Sequence, residues 1–308
     1  ANEAVARFLQ DKHLPALFRI HQKPDVAAVE RVAGQLASLG VALPPLPEVF
    51  TAQEAEGIVG EISAAVAHHV RKSGSGRAAL TSLVLRSLKQ AVYSPRNLGH
   101  SGLRSANYCH FTSPIRRYPD LIVHRALLSG LGLDDTAPDP SSLDEDAEWT
   151  SAREREASKI ERKADDIVRT FLLARLLADA GWTQPGGTET FNASSRRPSQ
   201  NRNRAPKFAR REQLRESAVG GPVFEGEIVG MVGGGLFVQF GPESAFEGFV
   251  PLREIKEQVG GYWNLNEHET ALVDDNGDMT LSLGDPIKVA VLDLQPARGR
   301  VDLLPVFA

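Results

Sequence analysis

At 308 residues the chain exceeds the usual single-domain size, and a composition of 42% hydrophobic and 24% charged residues is that of a globular protein with a buried core, which excludes a disordered or fibrous one. A formal net charge of −4 argues against a basic protein that coats nucleic acid by bulk electrostatics, so any such contact has to be local. The single cysteine, Cys109, allows no intrachain disulfide. With neither a basic-plus-apolar leader nor a long apolar span, the cytoplasm is the expected compartment and no membrane partner is expected.

From Ala1 to about Trp182 the apolar spacing is mostly helical. ANEAVARFL opens a helix with little room for a cap, which reads as a fragment of something longer. Val26, Val29, Val32, Leu36 and Leu39 mark a further helix, and Leu80, Leu83, Val84, Leu88 and Val92 another. Two short stretches read as extended: Leu17 to His21 ahead of Pro24, and Asn107 to Phe111 ahead of Ser113 and Pro114. Asp144 to Ala180 lacks Pro and Gly and carries opposite charges at helical spacing, as expected of one long, largely solvated helix.

Beyond Gly181 the composition shifts to Gly, Pro, Ser, Asn and Arg as far as about Gly221, and residues 183–221 read as a mobile connector. Its cations are Arg196, Arg197, Arg202, Arg204, Lys207, Arg210, Arg211 and Arg215, with Glu212 opposing them; they fit a phosphate grip or a soluble linker equally. From Val223 the period becomes two, in FEGEIVGMV, GLFVQF, FEGFVP, PIKVAVLDL and GRVDLLPV. These short strands suit a small OB-type barrel, a fold that commonly binds single strands. The fold class is therefore α+β: a mainly helical part over 1–182, the connector, and a five-stranded barrel over 222–308.

Chemistry concentrates in HFTSPIRRYPDLIVHR, residues 110–125. Ser113 suits an N-cap and Pro114 a first helical position, but Pro119 follows five residues on. The resolution predicted is a short turn, a bend, and a main helix from Pro119 that buries Leu121, Ile122, Ala126 and Leu128. Arg116 and Arg117 in a first turn oppose the helix dipole, so stability does not ask for them; a bound phosphate would reverse that sign. The alternative pairs Arg116 with Asp120 at helical spacing. His110 and His124 invite an acid/base role, although no nucleophile accompanies them. On an extended segment Cys109 and His110 would face opposite ways, which argues against a Cys–His dyad.

The stretch RNLGHSGLRSANYCHFTSPIRRYPDLIVHRAL closely resembles the signature near the end of the catalytic (RNB) domain in the ribonuclease II and ribonuclease R family. ANEAVARFL, LPALFRIHQKP and LVLRSLKQAVY resemble segments that precede that signature, and IERKADDIVRTFL the helix that follows it. FEGEIVGMVGGGLFVQF, EGFVP and LGDPIKVAVLDL resemble that family's S1 RNA-binding domain. The resemblance implies a processive 3′-to-5′ exoribonuclease that hydrolyses single-stranded RNA to nucleoside 5′-monophosphates, with Mg²⁺ as cofactor and single-stranded RNA as partner. It places Arg116 on the arginine that steadies the scissile phosphate and Glu161 on an acid near the 3′-terminal nucleotide. On residues alone, Glu161 reads as a surface partner of Arg162 or Lys163. Tyr108, His110, Ser113 and Arg117 would line the RNA path, with Phe237 and Arg300 as barrel contacts.

The resemblance also has gaps. The family's aspartate cluster lies upstream of the signature and has no counterpart here, since Asp134–Asp135, Asp165–Asp166 and the Asp274, Asp275, Asp278 hairpin turn do not read as a two-metal site. Metal ligands are expected outside this chain, in an upstream part of the same polypeptide or in a second one, and the chain as given should not hydrolyse RNA alone. A non-catalytic RNA-binding or regulatory protein built on a degenerate core is the alternative. In the barrel, Phe237 matches one of two expected aromatics, Gly234 stands where the other would be, and Pro251 replaces a histidine.

Overall fold

The structure is a computed structural model that describes residues 1–133, 137–185, 207–277 and 279–307. In chain order its elements are α1 (Asn2–Asp11), β1 (Phe18–Ile20), α2 (Val26–Ser38), α3 (Ala52–Ser73), α4 (Arg77–Arg86), β2 (Val92–Ser94), α5 (Tyr118–Gly130), α6 (Leu143–Asp179) and α7 (Lys207–Val219), followed by a β-rich half. That half contains β3 (Val223–Val232), β4 (Gly235–Phe240), β5 (Phe246–Pro251), α8 (Leu252–Val259), β6 (Trp263–Leu265), β7 (Ala271–Asp274), β8 (Thr280–Ser282), β9 (Pro286–Gln295) and β10 (Arg300–Val306). The α+β expectation holds. Among the described residues no helix is long and apolar enough to cross a membrane.

The chain divides into two units, one of residues 1–30, 46–60 and 86–160, the other of 31–45, 61–85 and 161–308. In the first, β1 and β2 pair antiparallel with Arg19 opposite Tyr93. One core cluster joins Ala6 and Leu9 of α1, Phe18 and Ile20 of β1, Cys109, and Val123 and Ala126 of α5; a second joins Leu17, Tyr93, Ile122, Leu143 and Ala147. The helical period expected to run on to Val92 stops at Arg86, because Val92 pairs with Ile20 instead. Conversely, Asn107–Phe111 forms no strand, and its one main-chain bond to β1 has Tyr108 O accepting the Arg19 N–H at 2.9 Å.

The predicted long helix is α6, with Asp144, Glu145 and Asp146 in its first turn, where the helix dipole favours acids. It ends where Gly181 takes φ +80° and the Trp182 N–H reaches back to Leu177 O at 2.9 Å.

In the second unit the five expected strands close into a barrel of order β10-β5-β4-β3-β9. Between β5 and β9 lie two elements not expected from the sequence, α8 and the three-stranded antiparallel sheet β6-β7-β8. Asp274 and Asp275 do sit at the turn beyond β7, where Asp274 Oδ1 accepts the Met279 N–H at 2.8 Å. Gly235 is required at the β3–β4 hairpin, since a Cβ there would lie 2.1 Å from Val250 O at φ +149°. The N-terminus of α4 is capped from β3, with Glu227 accepting the Gly76 N–H at 3.0 Å.

The span read as a mobile connector is corrected in part. Residues 207–219 form α7, and Leu214 and Ala218 are buried against Ala290, Leu292 and Leu304 of the barrel. Arg211 and Arg215 grip the fully buried Glu254 of α8 at 2.9 and 3.0 Å, and both also pair with Glu257. Upstream, Trp182 Nε1 donates to Ser217 O at 3.0 Å, and Gln184 both donates to Asp293 (2.7 Å) and accepts from the Leu294 N–H (2.8 Å). Arg196, Arg197, Arg202 and Arg204 lie outside the described residues.

Candidate nucleic-acid interface

Alternation along Asn107–Phe111 sends Cys109 inward and leaves Tyr108 and His110 half-buried on the other side. Cys109 donates to Asn2 O at 3.4 Å, and burial, with Asp120 nearby, pushes its thiol up to about 12. His110 Nδ1 lies 2.8 Å from the Tyr93 hydroxyl. Burial first, then the Arg117 and Arg19 guanidinium groups, pull His110 down to about 4. Burial and the Glu154 carboxylate raise Tyr93 to about 12. Arg19 lies over the Tyr93 ring at 4.7 Å and binds Glu154 at 2.5 Å. A neutral imidazole thus sits within a fixed network, with no thiolate beside it.

The rings continue as a series. His21 and His100 are 5.2 Å apart, His100 and Tyr108 5.4 Å, Tyr108 and His110 6.0 Å, and His110 and Tyr93 5.6 Å. The last three contacts are edge-on, which leaves ring faces for a flat ligand. Asn2 Nδ2 fixes the Tyr108 hydroxyl at 2.9 Å. His124 stands apart: it stacks on Phe111 at 4.2 Å and bonds Phe111 O at 2.9 Å, a packing arrangement rather than an acid/base one. His21, Tyr93 and His100 were not singled out from the sequence, where isolated histidines and tyrosines carry no pattern of their own.

Beyond Phe111 the chain makes the predicted turn and then the helix, with altered caps. The N-cap of α5 is Arg117, not Ser113, and Pro119 falls within the first turn, where its missing N–H is harmless. Ser113 instead heads the turn: Ser113 O accepts the N–H groups of Arg116 (3.2 Å) and Arg117 (3.1 Å). The buried Asp120 accepts the Ser113 N–H and the Arg117 guanidinium, each at 2.8 Å. The alternative Arg116–Asp120 pair is therefore not formed. Arg116 is exposed and, among the described residues, its side chain has no hydrogen-bond or ion-pair partner. Of the positions predicted to face inward on α5, Ile122 and Ala126 are buried, whereas Leu121 and Leu128 are exposed and Val123 takes their place.

Glu161 lies exposed on α6 without an ion pair to Lys163, which bonds the carbonyl of Arg298. In the barrel Phe237 is 36% exposed and opposite Phe249 of β5, their rings 5.1 Å apart. Phe249 supplies a neighbouring aromatic that the comparison of Gly234 with an expected ring had missed; cross-strand register was the needed signal. Arg300 is paired with Asp302 at 3.0 Å, and burial raises the Asp302 carboxyl. Arg210, Arg211 and Arg215 are likewise engaged with Asp293, Glu254 and Glu257. Among the described residues no group of three His, Cys, Asp or Glu side chains could hold a metal ion, so the residues present do not fit a two-metal centre. Asp134, Asp135 and Asp278 lie outside the described residues.

Residues 1–132 match the RNB domain and residues 220–304 the S1 RNA binding domain. Ribonuclease R 1 of Lactococcus lactis is 29% identical over 307 residues, which are 98% of this chain and 30% of that protein. Through an RNB match and an S1 match the chain is thus similar to ribonuclease R over nearly its whole length. Ribonuclease R of Escherichia coli is 43% identical over 131 residues, 41% of this chain and 14% of that protein. The structure of Mycoplasma genitalium RNase R in complex with ribose methylated single-stranded RNA shares the fold, with a TM-score of 0.71 at 21% identity over 99% of this chain and 40% of that one. The chain thus spans from 14% to 40% of the length of these ribonuclease R relatives. Its RNB match ends ahead of α6, and its S1 match begins one residue beyond α7.

Proposed function

We propose that this chain forms the phosphate-gripping part of an exoribonuclease that degrades single-stranded RNA processively from the 3′ end to nucleoside 5′-monophosphates. The observation that carries this reading is Arg116: an exposed guanidinium, unpartnered among the described residues, on a turn whose neighbouring polar groups are bonded to one another. Such a planar fork suits two phosphate oxygens, and its charge stabilises the charge that develops on a phosphodiester under attack. Glu161 would lie near the 3′-terminal nucleotide. Tyr108 and His110 would offer ring faces and uncharged polar atoms to the RNA, Ser113 and Arg117 would hold the turn, and Phe237 and Arg300 would contact RNA at the barrel. Phe249 supports a stacking role for Phe237. Mg²⁺ is the metal this reading calls for, with its ligands outside these 308 residues, in the same polypeptide or an associated one.

The test is degradation of single-stranded RNA by the intact enzyme with Mg²⁺, using substrates whose 3′ end is free or chemically blocked. Mononucleotides should accumulate from the free end and not from the blocked one. Retention of RNA without any mononucleotide would favour the non-catalytic RNA-binding reading.

A further inference from the structure

We infer that Asp120 is a positioning residue for Arg116, clasping the turn that presents it; this rests on the proposed role of Arg116. One carboxylate closes the turn at both ends. Its Oδ1 accepts the Ser113 N–H at the start of the turn and the Arg117 guanidinium at its finish, each at 2.8 Å. The Asp120 N–H in turn reaches Arg117 O at 3.2 Å, while the Arg116 and Arg117 N–H groups bond Ser113 O inside the loop. Every one of these bonds fixes the main chain on either side of Arg116, and none of them uses its side chain.

Stability alone does not ask for this arrangement. Asp120 is 0% exposed, and two polar atoms of the pair, Asp120 Oδ2 and Arg117 Nε, are buried without a hydrogen-bond partner among the described residues. Desolvating two charges and leaving part of each unsatisfied is disfavoured against an apolar pair of similar size, so a buried pair of this kind is better understood as specifying geometry. The clasp has an electrostatic consequence as well. It neutralises Arg117, leaving Arg116 as the uncompensated guanidinium of the turn, so that a phosphate is drawn to one fixed point rather than shared between adjacent cations.

The prediction is a background-dependent loss. In single-turnover degradation by the intact enzyme, Asp120→Asn should slow cleavage about 10- to 100-fold, the effect expected of an ångström-scale misplacement. RNA affinity should stay within about threefold, because the other contacts remain. In an Arg116→Ala background the same substitution should change the rate by less than about twofold, since a residue that acts through Arg116 has nothing left to position. An equal loss in both backgrounds, or none in either, overturns the clasp while leaving Arg116 its role. A wild-type rate for Arg116→Ala overturns the role of Arg116 and the clasp with it. Thermal melting monitors folding throughout; if Asp120→Asn does not fold, Arg117→Lys reads the same clasp from its other side, with a smaller loss and the same dependence on Arg116.

Discussion

At the scale of single residues, the register of five residues, Asn107–Phe111, decides which side chains can do chemistry. Cys109 and His110 are adjacent in sequence, yet one is wholly buried and the other faces a hydroxyl, so the dyad disfavoured by alternation is absent. His110 is held at about 4, below its ordinary 6.5, so the unfolded chain takes up its proton first. Its contribution to stability is therefore complete above about pH 6.5 and is lost as the pH falls from there toward about 4. Its imidazole resonances should show the neutral ring down to about pH 5; a midpoint near 6.5 would contradict the burial argument. Asp120 teaches a related lesson. Arg116 and Asp120 have the spacing of a helical pair, but the helix begins at Tyr118, so Arg116 precedes it and Arg117 becomes the partner. Arg116 stood out in the sequence; its neighbour's bond depended on where the helix starts, which Pro119 alone does not fix.

At the scale of elements, what could be read from the sequence was whatever local periodicity determines. The long helix α6 and all five barrel strands follow from their patterns. By contrast, β2 exists because Val92–Ser94 finds β1 far away in sequence, and that pairing overrides a helical period. The helix α7 was hidden by Arg211 and Arg215, whose partners Glu254 and Glu257 lie beyond three strands of the barrel sequence. Composition cannot distinguish a solvated cation from one bonded to a distant acid. Because Leu214 is 93% buried among Ala290, Leu292 and Leu304, Leu214→Ala should destabilise the barrel half by about 2 to 4 kcal/mol in urea denaturation. A change within about 0.5 kcal/mol would mean that α7 is not packed there.

At the scale of the whole molecule, a net charge of −4 requires RNA contacts to be placed one by one. Arg210, Arg211, Arg215 and Arg300, all candidates for electrostatic attraction, are held in ion pairs, and Arg117 is held by Asp120. Arg116 stands out against that background as an exposed cation whose side chain has no partner among the described residues. Among the described residues no group of three His, Cys, Asp or Glu side chains could hold a metal ion. The most direct measurement is single-turnover cleavage of 3′-labelled single-stranded RNA by the intact enzyme and its Arg116→Ala variant, each saturated with RNA. Loss of the group that stabilises charge on the scissile phosphate should lower the rate by at least about 100-fold while the RNA remains bound. Cleavage within about threefold of the wild-type rate would contradict the role given to Arg116.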